Sequence, residues 1–543
     1  MNKLSFIKFG LTVFCFTIPL CVLAQYNTMH KLQNSYLQQL YEKNARAKNL
    51  SLDYHIQPVL NYNEQGEFDS TLKSIFQIKP QQASKKNNLI RSIFRDGNLL
   101  ETTSIDHKNT FTINPLYTLE GGKATNKSIY QLNKGVRLDI NLNNKVFISS
   151  SFYENLSNFP NYINQYIDSL TVVPGMGKAR YVFNNIEYSL PLGYIGYKAT
   201  ENFYFELGND KNFIGSGHRS LLLSDVAYSY PYFKMQANFG KFSFMNLWGQ
   251  FTDASKGWAN VNGYDKKYAL FNTLTYKGFK NLQVSFFQSI VWTNKDSLGN
   301  RRDQEMGYFV PIIFLNTLNF NNGSPDNNLI GIDVNYQIKK STVIYGQLIL
   351  DDFNLAELLN GSGYFQNKYG VQLGIKSFQP FNIKNAFAQV EFNTVRPYTY
   401  ANKTPAINYS HYGETLAHPL GANFKEFIFK GNYTTKRFLF DASIMYATVG
   451  KDDNNSHWGR NIYKSDYASN LGIFSFNNKT TQGIKTNIFN TNLGVHYLMN
   501  PITNSRVSAL ITSRSETSSL QNTKETIFSI SFSTNLINIL QDF

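Results

Sequence analysis

The chain has 543 residues, of which 15% are aromatic and only 16% charged, against about 25% charged in ordinary soluble domains. Its formal net charge is +15. An excess of rings with a deficit of charge argues against a string of water-soluble domains and for an outer surface that meets something other than water.

Lys3 and Lys8 precede an apolar run from Phe9 to Leu23, and Ala24 offers a small residue before Gln25. This pattern predicts a secretory signal over residues 1–24. Both cysteines, Cys15 and Cys21, fall inside it, so disulfides and thiolate chemistry are excluded from the exported part. Loss of Lys3 and Lys8 lowers the charge by two and leaves a basic balance. Such a balance suits acidic partners such as lipopolysaccharide or acidic glycans, and it equally fits solvated loops and a polar lumen. No basic cluster supports nucleic-acid binding.

Residues 25–105 are expected to form a small N-terminal periplasmic region. Between Thr28 and Asn44, Met29, Leu32, Tyr36, Leu40 and Tyr41 recur at helical spacing, which predicts an amphipathic helix. From residue 106 to 543 the period becomes two. The clearest case is Ile330 to Lys339, where Ile330, Ile332, Val334, Tyr336 and Ile338 face one side and Gly331, Asp333, Asn335, Gln337 and Lys339 the other. That is about the length needed to cross a bilayer as a tilted strand, apolar side to lipid and polar side to a lumen.

Further alternating segments occur at 282–292, 343–350, 369–376, 386–393, 438–447, 491–498, 506–512 and 527–536. Their connections alternate in length. Turns at 339–342, 377–385, 434–437 and 499–505 are short, whereas those at 351–368, 394–426, 448–490 and 513–525 are long. Outer-membrane barrels have short periplasmic turns and long external loops, and sandwiches have no reason to obey that rule. The predicted fold is all-β: a transmembrane antiparallel barrel of about 18 strands in the cell outer membrane. The stretch between Thr293 and Asn328 has room for either no strands or two. The last strand is expected to end in Phe543, a signal for the outer-membrane assembly machinery.

The densest stretch is Glu201 to Tyr232. Phe203, Phe205 and Leu207 alternate with Tyr204 and Glu206, and then Asn209, Asp210, Gly215 and Gly217 break the pattern. Ser220 to Asp225 has room for a helical turn. Counting turns places this loop at the outer mouth, either above the barrel or folded into it. Asp210, Lys211, His218, Arg219 and Asp225 are candidates to hydrogen-bond an acidic glycan. The alternative is that Arg219 and Asp225 satisfy each other and brace the loop. Trp258, Tyr398, Tyr400, Tyr409, Tyr412 and Trp458 lie in external connections, where flat rings stack on sugars or belong to packing and a membrane girdle. Asp351, Asp352 and Glu357 lack the glycine and spacing of a calcium loop. Eight scattered histidines form no HExxH, and Gly215-Ser216-Gly217 is not a nucleophile elbow. The expectation is therefore a non-enzymatic protein without metal or cofactor.

Several blocks, in order, carry a family resemblance: NKGVRLDI (133–140), VVPGMGK (172–178), FELGNDKNFIGSGHRSLLLSD (205–225), PDNNLIGIDVNY (325–336), YGQLILDDF (345–353), NKYGVQLGIK (367–376), VRPYTYA (395–401) and HYGETLAHPLGANFKEF (411–427). The chain after residue 105 resembles the Wzi-like capsule-assembly barrels, and within them the RemB-type gliding-motility outer-membrane proteins of Bacteroidota. The resemblance implies a barrel near 18 strands with a helical part on the periplasmic side. It further implies binding of surface or capsular polysaccharide, or association with the surface adhesins of gliding. A pore or polymer conduit is the alternative function.

Overall fold

The computed structural model describes residues 34–50, 52–58, 76, 97–106, 108–125, 127–254, 264–295, 300–302, 305–311, 313, 326–453, 456–467, 475–501, 503–534 and 541–543. The segment expected to be a secretory signal and Trp258 lie outside them. Eighteen antiparallel strands close into one barrel. The first six are β1 (Thr110–Ala124), β2 (Lys127–Leu142), β3 (Val146–Asn158), β4 (Asn185–Lys198), β5 (Phe203–Asp210) and β6 (Tyr230–Phe239). The next six are β7 (Phe242–Thr252), β8 (Lys266–Phe279), β9 (Leu282–Thr293), β10 (Asn327–Lys339), β11 (Thr342–Asp352) and β12 (Lys368–Ser377). The last six are β13 (Ala386–Val395), β14 (Phe424–Thr435), β15 (Phe438–Lys451), β16 (Ile484–Asn500), β17 (Ser505–Thr517) and β18 (Asn522–Ser533).

No helix among the described residues is long and apolar enough to cross a membrane; strands cross it. Along β10, Ile330, Tyr336 and Ile338 are exposed while Asp333 and Asn335 are buried, the alternation the sequence predicts. The same outward series continues around the wall in Phe286, Ile344, Leu373, Phe427, Phe489 and Phe528. This is the lipid-facing belt of an outer-membrane barrel.

The barrel closes where β18 pairs with β1, from Ile527↔Ala124 to Ser533↔Thr118. Below that seam the short strand Leu100–Thr103 covers the first residues of the edge of β1, Thr110 to Ile113. Edge strands invite unwanted pairing, and this arrangement leaves little edge uncovered.

Between residues 294 and 326 no strand occurs among the described residues, only the single turn Met306–Phe309. The expected long loop at 513–525 is instead the end of β17, a four-residue turn and the start of β18. These strands run past the lipid belt, where both faces are polar, so their alternation is lost from the sequence. Nor does the last strand end in Phe543. It stops at Ser533, Thr534 still bonds to β1 through Tyr117 O (2.8 Å) and Pro115 O (2.9 Å), and residues 541–543 are in no strand.

Helix α1 (Ser35–Ala47) sits at the end that carries the short turns. Asn34 caps it, its side chain accepting from Tyr36 N (3.0 Å) and Leu37 N (3.2 Å). The residues expected to open the helix, Thr28 to Gln33, lie outside the described residues. The helix runs on to Ala47 because Glu42 and Arg46 pair across its last turn at 2.8 Å. Tyr36 and Tyr41 pack against Leu439 and Leu498 of the wall. Helix α2 (Asn161–Leu170) belongs to the opposite end and buries Ile163 and Ile167, one turn apart, against Val173, Met176 and Leu190.

Candidate functional site

The loop between β5 and β6 does not stand above the mouth; it folds into the lumen. Its apolar anchor is Leu221, Leu222 and Leu223, all fully buried with Leu329, Ile349 and Val395 of the wall. Local hydroxyls shape the bend: Ser220 Oγ donates to Ile214 O (2.5 Å) and accepts from Leu222 N (3.0 Å). This replaces the helical turn expected at Ser220 to Asp225. Lumen-facing side chains then satisfy the loop backbone. Glu391 accepts from His218 N (2.7 Å) and Arg219 N (3.1 Å). Gln347 accepts from Leu221 N (2.8 Å), and Gln372 donates to Arg219 O (3.0 Å). A buried loop carries its cost in unpaired backbone groups, and these three strand residues remove it.

The approach is close enough to require glycine. A Cβ on Gly217 would lie 2.5 Å from Glu391 Oε2, and one on Gly331 of the wall 2.6 Å from Leu222 Cδ2. Gly215 adopts φ +145° and faces Gln347. These glycines are a steric specification of the seat.

From the other end the N-terminal segment rises to meet the loop. Ile56 and Gln57 pair with Ile214 and Phe213, and Gly215 N donates to His55 O (2.6 Å). His55 is itself bound to Asp333, which accepts from Gln347 Nε2 (2.8 Å). Below, Lys376 donates to Ser216 O (2.8 Å) and pairs with Glu42 (2.9 Å), which also holds Arg46. Two inserts, one from each end, thus join in the middle of the barrel.

The five polar candidates fall into two groups. Arg219 is fully buried and does not pair with Asp225: its guanidinium lies 3.3 Å from Glu426 and 3.0 Å from Asp542. Glu426 in turn binds His418 (2.6 Å), so the partner came from a distant strand that no local reading reveals. His218 lies 3.5 Å from Asp542 and 3.3 Å from Lys430. Asp542 belongs to residues 541–543, which lie in the lumen; Phe543 rests on Tyr166 at 4.8 Å between ring centroids. Asp210, Lys211 and Asp225 stand apart at the base of the loop. Asp210 is buried and accepts from Lys211 N (2.8 Å), while Lys211 Nζ donates to Asp225 O (3.0 Å). The five residues therefore do not form one site; they anchor the loop at two levels.

Most aromatic candidates are also packing residues. Tyr398 is buried and donates to His457 O (2.8 Å); Tyr400 is buried, donates to Leu221 O (2.8 Å) and stacks on Tyr409 at 5.6 Å. Trp458 is half-buried, its carbonyl accepting from Asn423 and Gln482 at 3.1 Å each. Asp352 pairs with Lys368 (2.7 Å) and Asp351 accepts from Tyr400 N (2.7 Å), so these carboxylates tie loops together.

Tyr412 differs. It is half-buried and lies 4.9 Å from Tyr228 and 6.5 Å from Tyr264, ring to ring, where three external loops meet. The exposed Lys178 donates to Tyr264 OH at 2.8 Å. Beneath this cluster, the buried Glu414 accepts from Gly175 N (2.7 Å), Tyr228 N (3.1 Å) and Tyr166 OH (3.3 Å), stapling the loops. Burial pushes its carboxyl up to about 7, against the lowering effect of the Gly175 N–H and of Lys211. Tyr228 and Tyr264 escape a sequence reading because they lie far apart in the chain and in no shared pattern. Three adjacent rings beside an ammonium can stack on sugar faces and pair with an acidic group.

A closed 18-strand barrel with an apolar belt outside and polar groups inside defines an integral outer-membrane protein. No family model and no curated protein matches the chain. Among solved structures it is similar to Wzi of Escherichia coli, a carbohydrate-binding outer-membrane barrel involved in group 1 capsule assembly. The TM-score is 0.54 at 13% identity, over 94% of this chain and 99% of that one. Weaker similarity, TM-score 0.42, joins it to OprD of Pseudomonas aeruginosa (8% identity, 80% and 96% covered) and OccAB2 of Acinetobacter baumannii (12%, 80% and 99%). The fold is Wzi-like.

Proposed function

We propose that this chain is a non-enzymatic outer-membrane barrel that binds surface polysaccharide with its external loops and serves capsule assembly or gliding and adhesion at the cell surface. The observation that carries this reading is the filled lumen. Loop 211–229 and segment 52–58 hydrogen-bond to each other inside the barrel, which leaves the loop surface as the working face. A pore or conduit needs the opposite arrangement. The likeness in fold to Wzi, itself a carbohydrate-binding barrel, supports the same reading. The sequence blocks that resemble RemB-type proteins support the gliding role. Tyr412, Tyr228, Tyr264 and Lys178 are the surface offered to the polymer. Binding of the native surface polymer to the purified protein tests this: Tyr412→Ala combined with Tyr228→Ala should weaken it with the barrel still folded. Large, steady conductance of the wild-type protein in a planar bilayer would overturn the reading in favour of the pore.

A further inference from the structure

The inner wall is not filled evenly. On the seam side of the outer rim lies a cavity of ≈ 470 Å³, walled by the start of α2, the β1–β2 hairpin and the ends of β17 and β18. Its size falls in the range of about 300–1,000 Å³ that small-ligand sites occupy. Lys127 and Lys524 line it, together with the amides of Asn161, Gln165 and Asn522. Its one carboxylate, Glu525, is engaged: it is buried and accepts from Asn161 N at 3.1 Å. The floor is Tyr162, with the Arg514 guanidinium 4.8 Å above its ring. Arg514 is held in place by Glu516 (3.1 Å) and by Phe543 O (3.2 Å), so the floor is built before any ligand arrives.

The ammonium of Lys127, that of the exposed Lys524 at the cavity's edge, and three planar amides are the chemistry of an acidic sugar site. Carboxylates pair with the ammoniums and hydroxyls exchange hydrogen bonds with the amides, above a floor in which the Arg514 guanidinium already covers the Tyr162 ring. We propose that this cavity binds a carboxylated, uronate-type segment of the surface polymer, with Lys127 and Lys524 pairing to its carboxylates. The proposal rests on the polysaccharide reading and names the polymer's charge class. It also gives a use to the basic balance of the chain, which the aromatic cluster around Tyr412 leaves largely unexplained.

The test uses the full-length protein in detergent, titrated with polygalacturonate oligosaccharides, with neutral dextran oligosaccharides and with inorganic phosphate. Uronate should bind, dextran and phosphate should bind far more weakly, and added salt should reduce the uronate affinity. Lys127→Gln with Lys524→Gln should weaken uronate binding about ten-fold or more. Because Lys127 also donates to Phe159 O (3.1 Å), the single variant Lys524→Glu, at an exposed position, provides a second check with no such bond at stake. Undiminished uronate binding in both variants overturns the cavity assignment and leaves the polysaccharide reading standing. Dextran or phosphate binding as tight as uronate overturns the uronate specificity. Failure of the wild-type protein to bind any polymer, the native one included, overturns both.

Discussion

The wall from β7 to β13 and the seam from β17 through β18 to β1 are parts of one barrel with opposite interiors. In the first, inward residues Asn246, Asn272, Gln288, Asp333, Gln347, Gln372 and Glu391 are all buried, and the inserted loop fills the space they bound. In the second, the inward face mixes small residues such as Ser529 and Ser531 with the larger Leu116, Arg514, Glu525 and Ile527, and a cavity remains at the rim. A sector built like a protein core closes the conduit. Among the described residues the seam sector receives no such loop and keeps a cavity at its rim, so the plug and this cavity lie on opposite sides of the same cylinder.

The strongest way to break the contrast is to unseat the loop. Arg219→Ala leaves the buried Glu426 and the half-buried Asp542 without their shared cation, at a cost of about 3–5 kcal/mol. The expected outcome is a lower melting temperature in detergent, proteolysis within 211–229 and new conductance; unchanged melting would show that the plugged sector is not a core. Next in size is Gly331→Val. Its added Cβ meets Leu222 at 2.6 Å, and overpacking of this kind costs about 1–3 kcal/mol. It should open the plugged sector to protease without altering ligand binding at the seam.

Acidity sharpens the comparison for the external loops. Glu414 has a folded value of about 7 against an ordinary 4.5, so the folded protein holds an extra proton between those values. The loop staple is therefore strongest below about 4.5 and loosens as pH rises through about 7. Protease resistance of the outer loops across that window should fall in the wild type and stay level in Glu414→Gln. The smallest effect belongs to the seam. Lys524→Ala, at an exposed position, should change stability by no more than about 0.5 kcal/mol. A larger loss, measured by thermal unfolding in detergent, would mean that the seam too is structural.

Much of the barrel was legible before any fold was seen, because alternation survives wherever one face meets lipid. Ile330 to Lys339 shows it clearly, and β10 follows it up to the turn, where Lys339 is exposed. Where strands leave the lipid, as in Ser513 to Thr517, both faces are polar and the pattern fades. The candidate site was less legible. The stretch 205–225 reads correctly as a conspicuous loop, yet the partner of Arg219 is Glu426 and not the nearby Asp225. Nothing local marks Tyr228, Tyr264 and Tyr412 as neighbours either.

The sequence by itself determined the class: an aromatic-rich, cysteine-poor exported chain whose period of two and uneven loops make a membrane barrel. Those features are one-dimensional, since each residue answers only to lipid, water or a turn. Which way the glycine-broken loop folds, what neutralises Arg219, where Phe543 ends and which rings and lysines gather at the rim were decided only by tertiary structure. Those are contacts between segments hundreds of residues apart, and closing the cylinder is what brings them together.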